Sequence, residues 1–425
     1  MEPADVVRRP PFGDNPQVGE RGATTHRRIL EAALDTFGEH GFHDTHVELI
    51  TETAGCSRPS FYQYFSSKDD VFWRLAGELA AAMEELAGGL GPVAPDTEGV
   101  AQLTTWFDEL IDLYAAYAPV FVAFPTAMRD RRSVSARPLR AISDHVGDAL
   151  LRRANGRRRN LRMDGLSAVT VTMLLRTIYY WRAGLGQVSR PRFAHGTAQT
   201  IHRLLYGRID DVNAGPVTRA PAKRPPRFPD PPTSDRGRPL RPRGQRTRQA
   251  LIDAASAVLL ERGYHDTRVD DVVAAAGLAR GSFYRHFDTK DHLFYALAEQ
   301  AAARMIESLA AYPEDTGVHE LRRWLEQWFD AYRANGGVIS AWQEIDYRDP
   351  ELAEYAIAVA ATVFDRLTRI VSRRQFGDAT VDAIALLSII EGVPYSVLVR
   401  DALDERVAID ASAVVIRRGL LGAPA

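Results

Sequence analysis

Apolar side chains recur at helical spacing in two stretches of the chain. In the first stretch, Ile29, Leu30, Ala33 and Phe37 fall on one face of a helix, and Gly41 follows where a left-handed residue can end a helix. The pattern predicts an amphipathic helix ending near Gly41. The same pattern returns later in the chain, with Leu251, Ile252, Ala255 and Leu259 on one face and Gly263 after them.

The two stretches belong to an internal repeat. A shift of 222 positions aligns Arg21–Leu75 with Arg243–Leu297 without a gap, and 22 of the 55 aligned residues are identical. Chance does not produce this agreement, so the chain contains two copies of one structural unit.

Each copy continues with signals for short helices. Thr45 and Glu48 match a capping box at the start of a second helix, and Thr267 with Asp270 is a weaker version. A glycine at Gly55 or Gly277 then predicts a tight turn into a third helix. Two short helices joined by such a turn form a helix–turn–helix. A fourth helix is predicted after Ser67 and Thr289.

A proline-rich segment separates the copies. Residues 213–242 hold nine of the 24 prolines, which favours an extended connector. Residues 213–248 carry ten basic and two acidic residues, consistent with a solubilising connector or with an arm that touches DNA. The sequence thus predicts a disordered arm (1–20), a first head (21–72) and helical body (73–212), a connector (213–242), and a second head (243–294) and helical body (295–425).

Composition narrows the class of protein. The formal net charge is -2, so any basic surface is local. A single cysteine, Cys56, and no apolar leader near Met1 predict a reduced, cytoplasmic protein. The sequence contains no run of about 18 uninterrupted apolar residues, so no membrane span is predicted. The chain lacks the GxxxxGK, HExxH and GxSxG motifs, so we expect neither an enzyme nor a cofactor or metal site.

The predicted third helices carry a specific string. It reads SRPSFYQYFSSKD from Ser57 and ARGSFYRHFDTKD from Ala279. This string and its lead-in resemble the DNA-binding domain of TetR/AcrR-family transcriptional regulators. The whole chain looks like two such regulators fused, similar to the double-TetR regulators of actinobacterial lipid-handling operons. The resemblance implies an all-α fold of two tandem units that bind a double-stranded DNA operator.

The resemblance also implies roles for individual residues. An arginine can bind guanine through two hydrogen bonds, and Pro59 can contact a thymine methyl group. The phenylalanines Phe61, Phe65, Phe283 and Phe287 are predicted to be core. The implied base-reading residues are Arg58, Pro59, Tyr62, Arg280, Gly281 and Tyr284, and the implied phosphate contacts are Thr45, Tyr64, Lys68, Thr267, His286 and Lys290. The basic arms before the heads, including Arg28, would add phosphate attraction.

The bodies are rich in aromatic residues. The family resemblance implies a pocket for a small apolar ligand, whereas packing alone makes most of these aromatics core. The candidates for the pocket are Trp106, Tyr114, Phe121, Trp328, Trp342 and Glu391.

The expected function is a ligand-responsive regulator, a repressor rather than an activator, in which one chain supplies both heads as a pseudo-dimer. Alternatives are a homodimer with four heads, an architectural DNA-binding protein without a ligand, and a metabolite-binding module with inactive heads. In the family, the last two helices of each body pair with those of a second body. Here the corresponding segments are 166–186 with 193–206, and 381–403 with 408–420.

Two charges stand out in these segments. Aligning Asp164 with Asp378 places Arg176 and Glu391 one position apart in equivalent helices. The favoured interpretation is that each charge reaches solvent or a pocket; the alternative is an ion pair between the two bodies.

Overall fold

The computed structural model describes residues 20–129, 146–147, 149–151, 161–213, 241–313, 317–344, 350–374, 376–398 and 403–423. Helices account for most of these residues. The predicted arm, apart from its last residue, and nearly all of the predicted connector lie outside the described ranges. The chain divides into two compact units, one of residues 1–83 and 112–139 and one of residues 84–111 and 140–425.

The first unit contains the first head. Its helix α1 packs against α2 and α6, and its core includes Ile29, Phe37, Phe61 and Phe72, each at most 4% exposed. Helices α4 and α5 each cross the boundary between the units. The elements are α1 (Glu20–Asp44), α2 (Val47–Thr53), α3 (Arg58–Tyr64), α4 (Lys68–Gly89), α5 (Thr97–Ala116) and α6 (Ala118–Arg129).

The second unit contains the second head, the second body and the remaining helices of the first body. The last helix, α18, runs directly into a π-helical turn, Val415–Leu420. The elements are α7 (Leu161–Arg182), α8 (Arg190–Tyr206), α9 (Asp210–Asn213), α10 (Pro242–Asp266), α11 (Val269–Ala275), α12 (Arg280–Phe283), α13 (Lys290–Ala310), α14 (Val318–Ala334), α15 (Gly336–Glu344), α16 (Pro350–Val371), α17 (Ala379–Leu398) and α18 (Glu405–Val414).

The last two helices of the first body pack against those of the second. Helix α7 packs against α17 and α18, while α8 packs against α17 and the π-helical turn. The four segments predicted to meet within one chain therefore do so. Glycines allow the close approach: an added Cβ on Gly392 would lie 2.9 Å from Cγ2 of Thr172, and one on Gly196 would lie 3.0 Å from Cγ2 of Val381.

Helix α17 is long and apolar enough to cross a membrane by length and composition, with a mean hydropathy of 1.6 over its most apolar window. However, 83% of that window is buried inside the protein, and α17 packs against α7, α8, α16 and α18. The buried core helix of a protein can be as long and as apolar as a membrane span. The apolar composition of α17 is therefore explained by its packing.

Candidate nucleic-acid interface

The lead-in to each helix–turn–helix is built the same way. Gly41 and Gly263 have the predicted left-handed φ, +72° and +81°. The predicted capping residues are wrong: α2 and α11 are preceded by His46 and Arg268. The Thr45 hydroxyl instead donates to the carbonyl of Gly41 at 2.6 Å, and Thr267 makes the same bond to Gly263. The reason is that the end of the preceding helix leaves carbonyls that need donors.

The turn between the two short helices needs a left-handed residue, and glycine supplies it. Gly55 and Gly277 have φ values of +60° and +64°. In the first head, Nη2 of Arg28 donates to the carbonyls of Ala54 and Gly55. Arg28 was expected to belong to a phosphate-attracting arm, but the structure places it as a brace on this turn. Its equivalent in the second head, Ala250, cannot form the brace.

The third helix of each head presents one face to the core and one to solvent. Phe61 and Phe283 are 0% exposed, which confirms them as core, whereas Tyr62 is 58% and Tyr284 46% exposed. Phe65 and Phe287 are also buried, as predicted.

The two third helices begin differently. Ser57 caps α3 by accepting a bond from the N–H of Ser60 at 3.3 Å, and Pro59 lies in the first turn. Ala279, at the same position before α12, has no side-chain acceptor, and α12 has only four residues, Arg280–Phe283. The second recognition helix is therefore the less strongly formed of the two.

Each arginine expected to read bases lies beside an acid from the preceding helix. Arg58 pairs with Glu48, and Arg280 pairs with Asp270 at 3.4 Å. The two pairs are equivalent, since both residues of each are related by the 222-residue shift. Arg280 also lies 5.9 Å from the Tyr284 ring, and its pKa is raised by a hydrogen bond with Tyr284 and by the charge of Asp270.

The sequence pattern did not predict this pairing. The sequence signal for the pairing is an acid at the same position of both repeats. Two residues ten positions apart need not be in contact, so the spacing alone does not predict the pair. To bind a guanine base, each arginine would therefore have to leave the carboxylate beside it.

The predicted phosphate contacts are placed unequally. Thr45, Tyr64 and Thr267 are buried. Lys68 Nζ donates to the carbonyls of Phe42 and His43 at 2.7 and 2.8 Å.

Lys290 Nζ likewise donates to the carbonyl of Tyr264 at 2.8 Å and lies 4.3 Å from that ring. Both lysines therefore tie the start of the fourth helix of the head to the last turn of its first helix. The backbone N–H of His286 donates to the carbonyl of Phe283 at 2.8 Å. Contact of these residues with DNA phosphates stays a prediction.

The predicted pocket residues have protein partners of their own. The indole N–H of Trp106 donates to Leu86 at 3.0 Å, and that of Trp328 donates to Ile390 at 2.6 Å. Tyr114 stacks on Phe121 with ring centroids 4.4 Å apart. Glu391 pairs with Arg176, and the side chain of Trp342 lies outside the described part of the structure. A ligand-binding role for any of them stays a prediction.

Two equivalent helix–turn–helix heads, joined to helical bodies, define an all-α tandem helix–turn–helix protein. The model of the family described as "Bacterial regulatory proteins, tetR family" matches the chain twice, at residues 29–75 and 251–297. These ranges are the cores of the two heads. The chain therefore carries two segments that match the DNA-binding region of the TetR family.

The chain is also similar to parts of individual proteins. The chain is 37% identical over 70 residues to the HTH-type transcriptional regulator YdgC of Bacillus subtilis, spanning 16% of this chain and 36% of YdgC. It is 30% identical over 135 residues to the HTH-type transcriptional activator FasR of Mycolicibacterium smegmatis, spanning 30% of this chain and 61% of FasR. The crystal structure of the multidrug binding protein EbrR with malachite green aligns at 27% identity and a TM-score of 0.31, spanning 40% of this chain and 96% of EbrR.

Proposed function

We propose that this protein is a transcriptional regulator whose single chain places both heads on one double-stranded DNA operator. The observation that carries the proposal is the repetition of the same surface in both heads. Each head exposes a tyrosine, Tyr62 or Tyr284, on the recognition helix, next to an exposed arginine, Arg58 or Arg280. Aromatic and arginine side chains near the start of such a helix are suited to reading base edges in the major groove.

The pairing of the bodies supports the use of one chain rather than two. Among the described residues, three ion pairs join α7 or α8 of the first body to α17 or the residue just before it in the second. In all three, the cation comes from the first body and the acid from the second. The pairs are Arg176 with Glu391, Arg192 with Asp378, and Arg203 with Asp382.

This one-sided distribution of charge opposes pairing between two identical bodies. If two first bodies met through these helices, three arginines would face three arginines, and two second bodies would bring acids together. Buried like charges cost several kcal/mol, so the surfaces favour the heterotypic pairing that one chain can make internally.

The stoichiometry of the DNA complex tests this proposal. Genomic fragments selected by the purified protein give the operator, and light scattering gives the mass of the complex on the shortest bound fragment. We expect one chain of 47.2 kDa per operator. Two or more chains on the minimal operator would contradict the pseudo-dimer, and failure to select any sequence would contradict specific DNA binding.

We further propose that the protein is a repressor released by a small apolar, lipid-like ligand. Support comes from the buried aromatics of the bodies, such as Trp106 and Trp328, which can line an apolar site. Extraction of the purified protein with organic solvent, followed by mass spectrometry, would identify apolar compounds that it carries. The compound should release the operator and raise transcription in a reconstituted assay; loss of transcription on release would indicate an activator.

A further inference from the structure

Two guanidinium groups share one carboxylate in the interior of the second unit. Arg203 of α8 donates through Nη2 to both oxygens of Asp382, at 2.9 and 3.1 Å. Arg374, which lies between α16 and α17, donates to the same carboxylate. The side chains of Arg203, Asp382 and Arg374 are 0, 1 and 7% exposed. Two positive charges and one negative charge are therefore removed from water together.

The neighbouring charges of the described residues do not balance this excess. Asp378 is the next acid, but Arg192 pairs with it at 2.9 Å, and it also accepts bonds from the backbone N–H groups of Thr380 and Val381. Three arginines thus face two aspartates. The start of α17 adds the positive end of a helix dipole.

Several hydrogen-bond donors of the two arginines and of a nearby tyrosine have no acceptor among the described residues. Within the described residues, no hydrogen-bond partner is found for Nη1 of Arg203, for Nε and Nη1 of Arg374, or for the hydroxyl of Tyr312. All four atoms are buried. The charge of Arg374 acts on the phenol of Tyr312, whose pKa is raised chiefly by burial. Buried charged donors without acceptors are strongly unfavourable, so this region lacks both negative charge and acceptor atoms.

An aromatic ring closes one side of the group. Phe376 lies 5.4 Å from the guanidinium carbon of Arg203 and 4.9 Å from that of Arg374. Nε of Arg203 is fixed by the carbonyl of Gly419 at 2.7 Å. These contacts hold both guanidinium planes in place before any ligand binds.

We propose that Arg203, Arg374 and Tyr312 form a binding site for a small oxyanion, either a phosphate or a carboxylate group. We call these three residues the buried arginine cluster. Guanidinium groups offer directed pairs of N–H donors that match the oxygens of both anions. Because Arg203 belongs to the first body and the other two residues to the second, the bound anion strengthens the association of the bodies. The inference does not depend on DNA binding.

Thermal unfolding of the full chain tests the site. The midpoint is measured by circular dichroism against the concentration of inorganic phosphate or acetate, with chloride keeping the ionic strength constant. A ligand bound only by the folded state raises the midpoint in a saturable way. We expect such a rise with at least one oxyanion, and comparison of the two shows whether phosphate or carboxylate is preferred. A midpoint that does not respond to either anion would overturn the proposal.

Two arginine variants locate the effect. Arg374→Met should abolish the anion-dependent rise, whereas Arg304→Met, which removes the same charge from an exposed position of α13, should keep it. Equal responses in both variants would place the anion elsewhere and contradict the proposal. If Arg374→Met does not fold, Arg374→Lys keeps the charge with fewer directed donors and should weaken the apparent anion affinity at least tenfold.

A crystal of the unmodified protein provides a result that does not depend on any variant. Tungstate is a tetrahedral oxyanion with strong anomalous scattering. Soaked into crystals, it should give an anomalous peak within hydrogen-bond distance of both Arg203 and Arg374. A fully soaked crystal with no peak at this position would overturn the proposal even if the variants proved unstable.

Discussion

Arg176 of α7 and Glu391 of α17 form an ion pair between the two bodies. Nε of Arg176 donates to Oε2 of Glu391 at 2.9 Å, and the side chains are only 21 and 13% exposed. Arg176 also contacts Tyr180, whose pKa is raised mainly by burial and then by the charge of Glu391. The internal alignment favoured each charge reaching solvent or a pocket, whereas the structure shows the alternative, the ion pair.

Exchanging these two charges tests what the pair contributes. Arg176→Glu or Glu391→Arg alone would bury two like charges, and breaking such a pair costs about 3–5 kcal/mol. The double exchange should recover most of the lost free energy of unfolding, measured with urea. Light scattering should show association of chains in the single variants only. Single variants as stable and as monomeric as the starting protein would show that the pair does not direct the pairing of the bodies.

The sequence predicted elements and repeats better than it predicted polar contacts. The buried faces of α1 and α3 follow from helical spacing, because an apolar stripe has only one favourable side to bury. Thr45 was misassigned because a threonine hydroxyl can cap the next helix or bond back to the preceding turn, and only the path of the chain decides between them.

Burial of charge could not be predicted for most residues. Arg203 and Asp382 lie 179 positions apart, and the chain has many other arginines that remain exposed. Arg176 and Glu391 could be considered as a pair because the internal alignment placed them in equivalent helices. No such alignment relates Arg374 to Arg203, so the shared carboxylate became visible only in three dimensions.

The close packing of α17 on α7 depends on Gly392. An added Cβ would lie 2.9 Å from Cγ2 of Thr172 and 3.0 Å from Cγ of Arg176. We expect Gly392→Ala to lower the free energy of unfolding by about 1–3 kcal/mol, the usual cost of overpacking. Gly88→Ala is the matched control, since nothing lies within 4 Å of its Cβ position in α4. Alanine favours a helix over glycine by about 1 kcal/mol, so this control should be neutral or stabilising. Equal effects in both variants would mean that the helices can move apart at no cost.

A buried histidine predicts a dependence of stability on pH. His202 of α8 is 0% exposed, and one ring nitrogen lies 3.1 Å from the carbonyl of Ala94. Burial lowers its pKa below the ordinary value of 6.5, so the unfolded chain binds a proton at a higher pH than the folded chain does. The stabilisation is fully present above pH 6.5 and is lost as the pH falls through the lowered pKa.

Urea unfolding between pH 8 and pH 5.5 measures this effect. The free energy of unfolding should fall toward the acid end of the range, and His202→Gln should reduce the slope. His195→Gln, at an exposed position of the same helix, should leave the slope unchanged. Identical slopes in the two variants would assign the acid sensitivity to other groups, such as His26, whose pKa is also lowered by burial.

The two heads should read different half-sites that share one feature. Arg58 and Arg280 occupy the same position, but Pro59 and Gly281 differ beside them. Replacing either arginine with alanine should cost about 1–3 kcal/mol of binding free energy and relax base preference in one half-site only. Selection of bound sequences from a random library measures the preference at each position. Relaxation of both half-sites by one substitution would contradict the assignment of one head to each half-site.

The carboxylates beside these arginines should compete with DNA. Glu48 pairs with Arg58 and Asp270 with Arg280, so base contact requires each guanidinium to leave a charged partner. Glu48→Gln and Asp270→Asn remove the competitor and one negative charge near the DNA backbone. Each variant should therefore bind the operator several-fold more tightly in a fluorescence anisotropy titration at fixed salt. Glu84→Gln, which removes the same charge at an exposed position of α4 outside the head, serves as the control and should leave the affinity unchanged. Weaker binding with relaxed base preference would instead show that the carboxylates orient the arginines toward the bases.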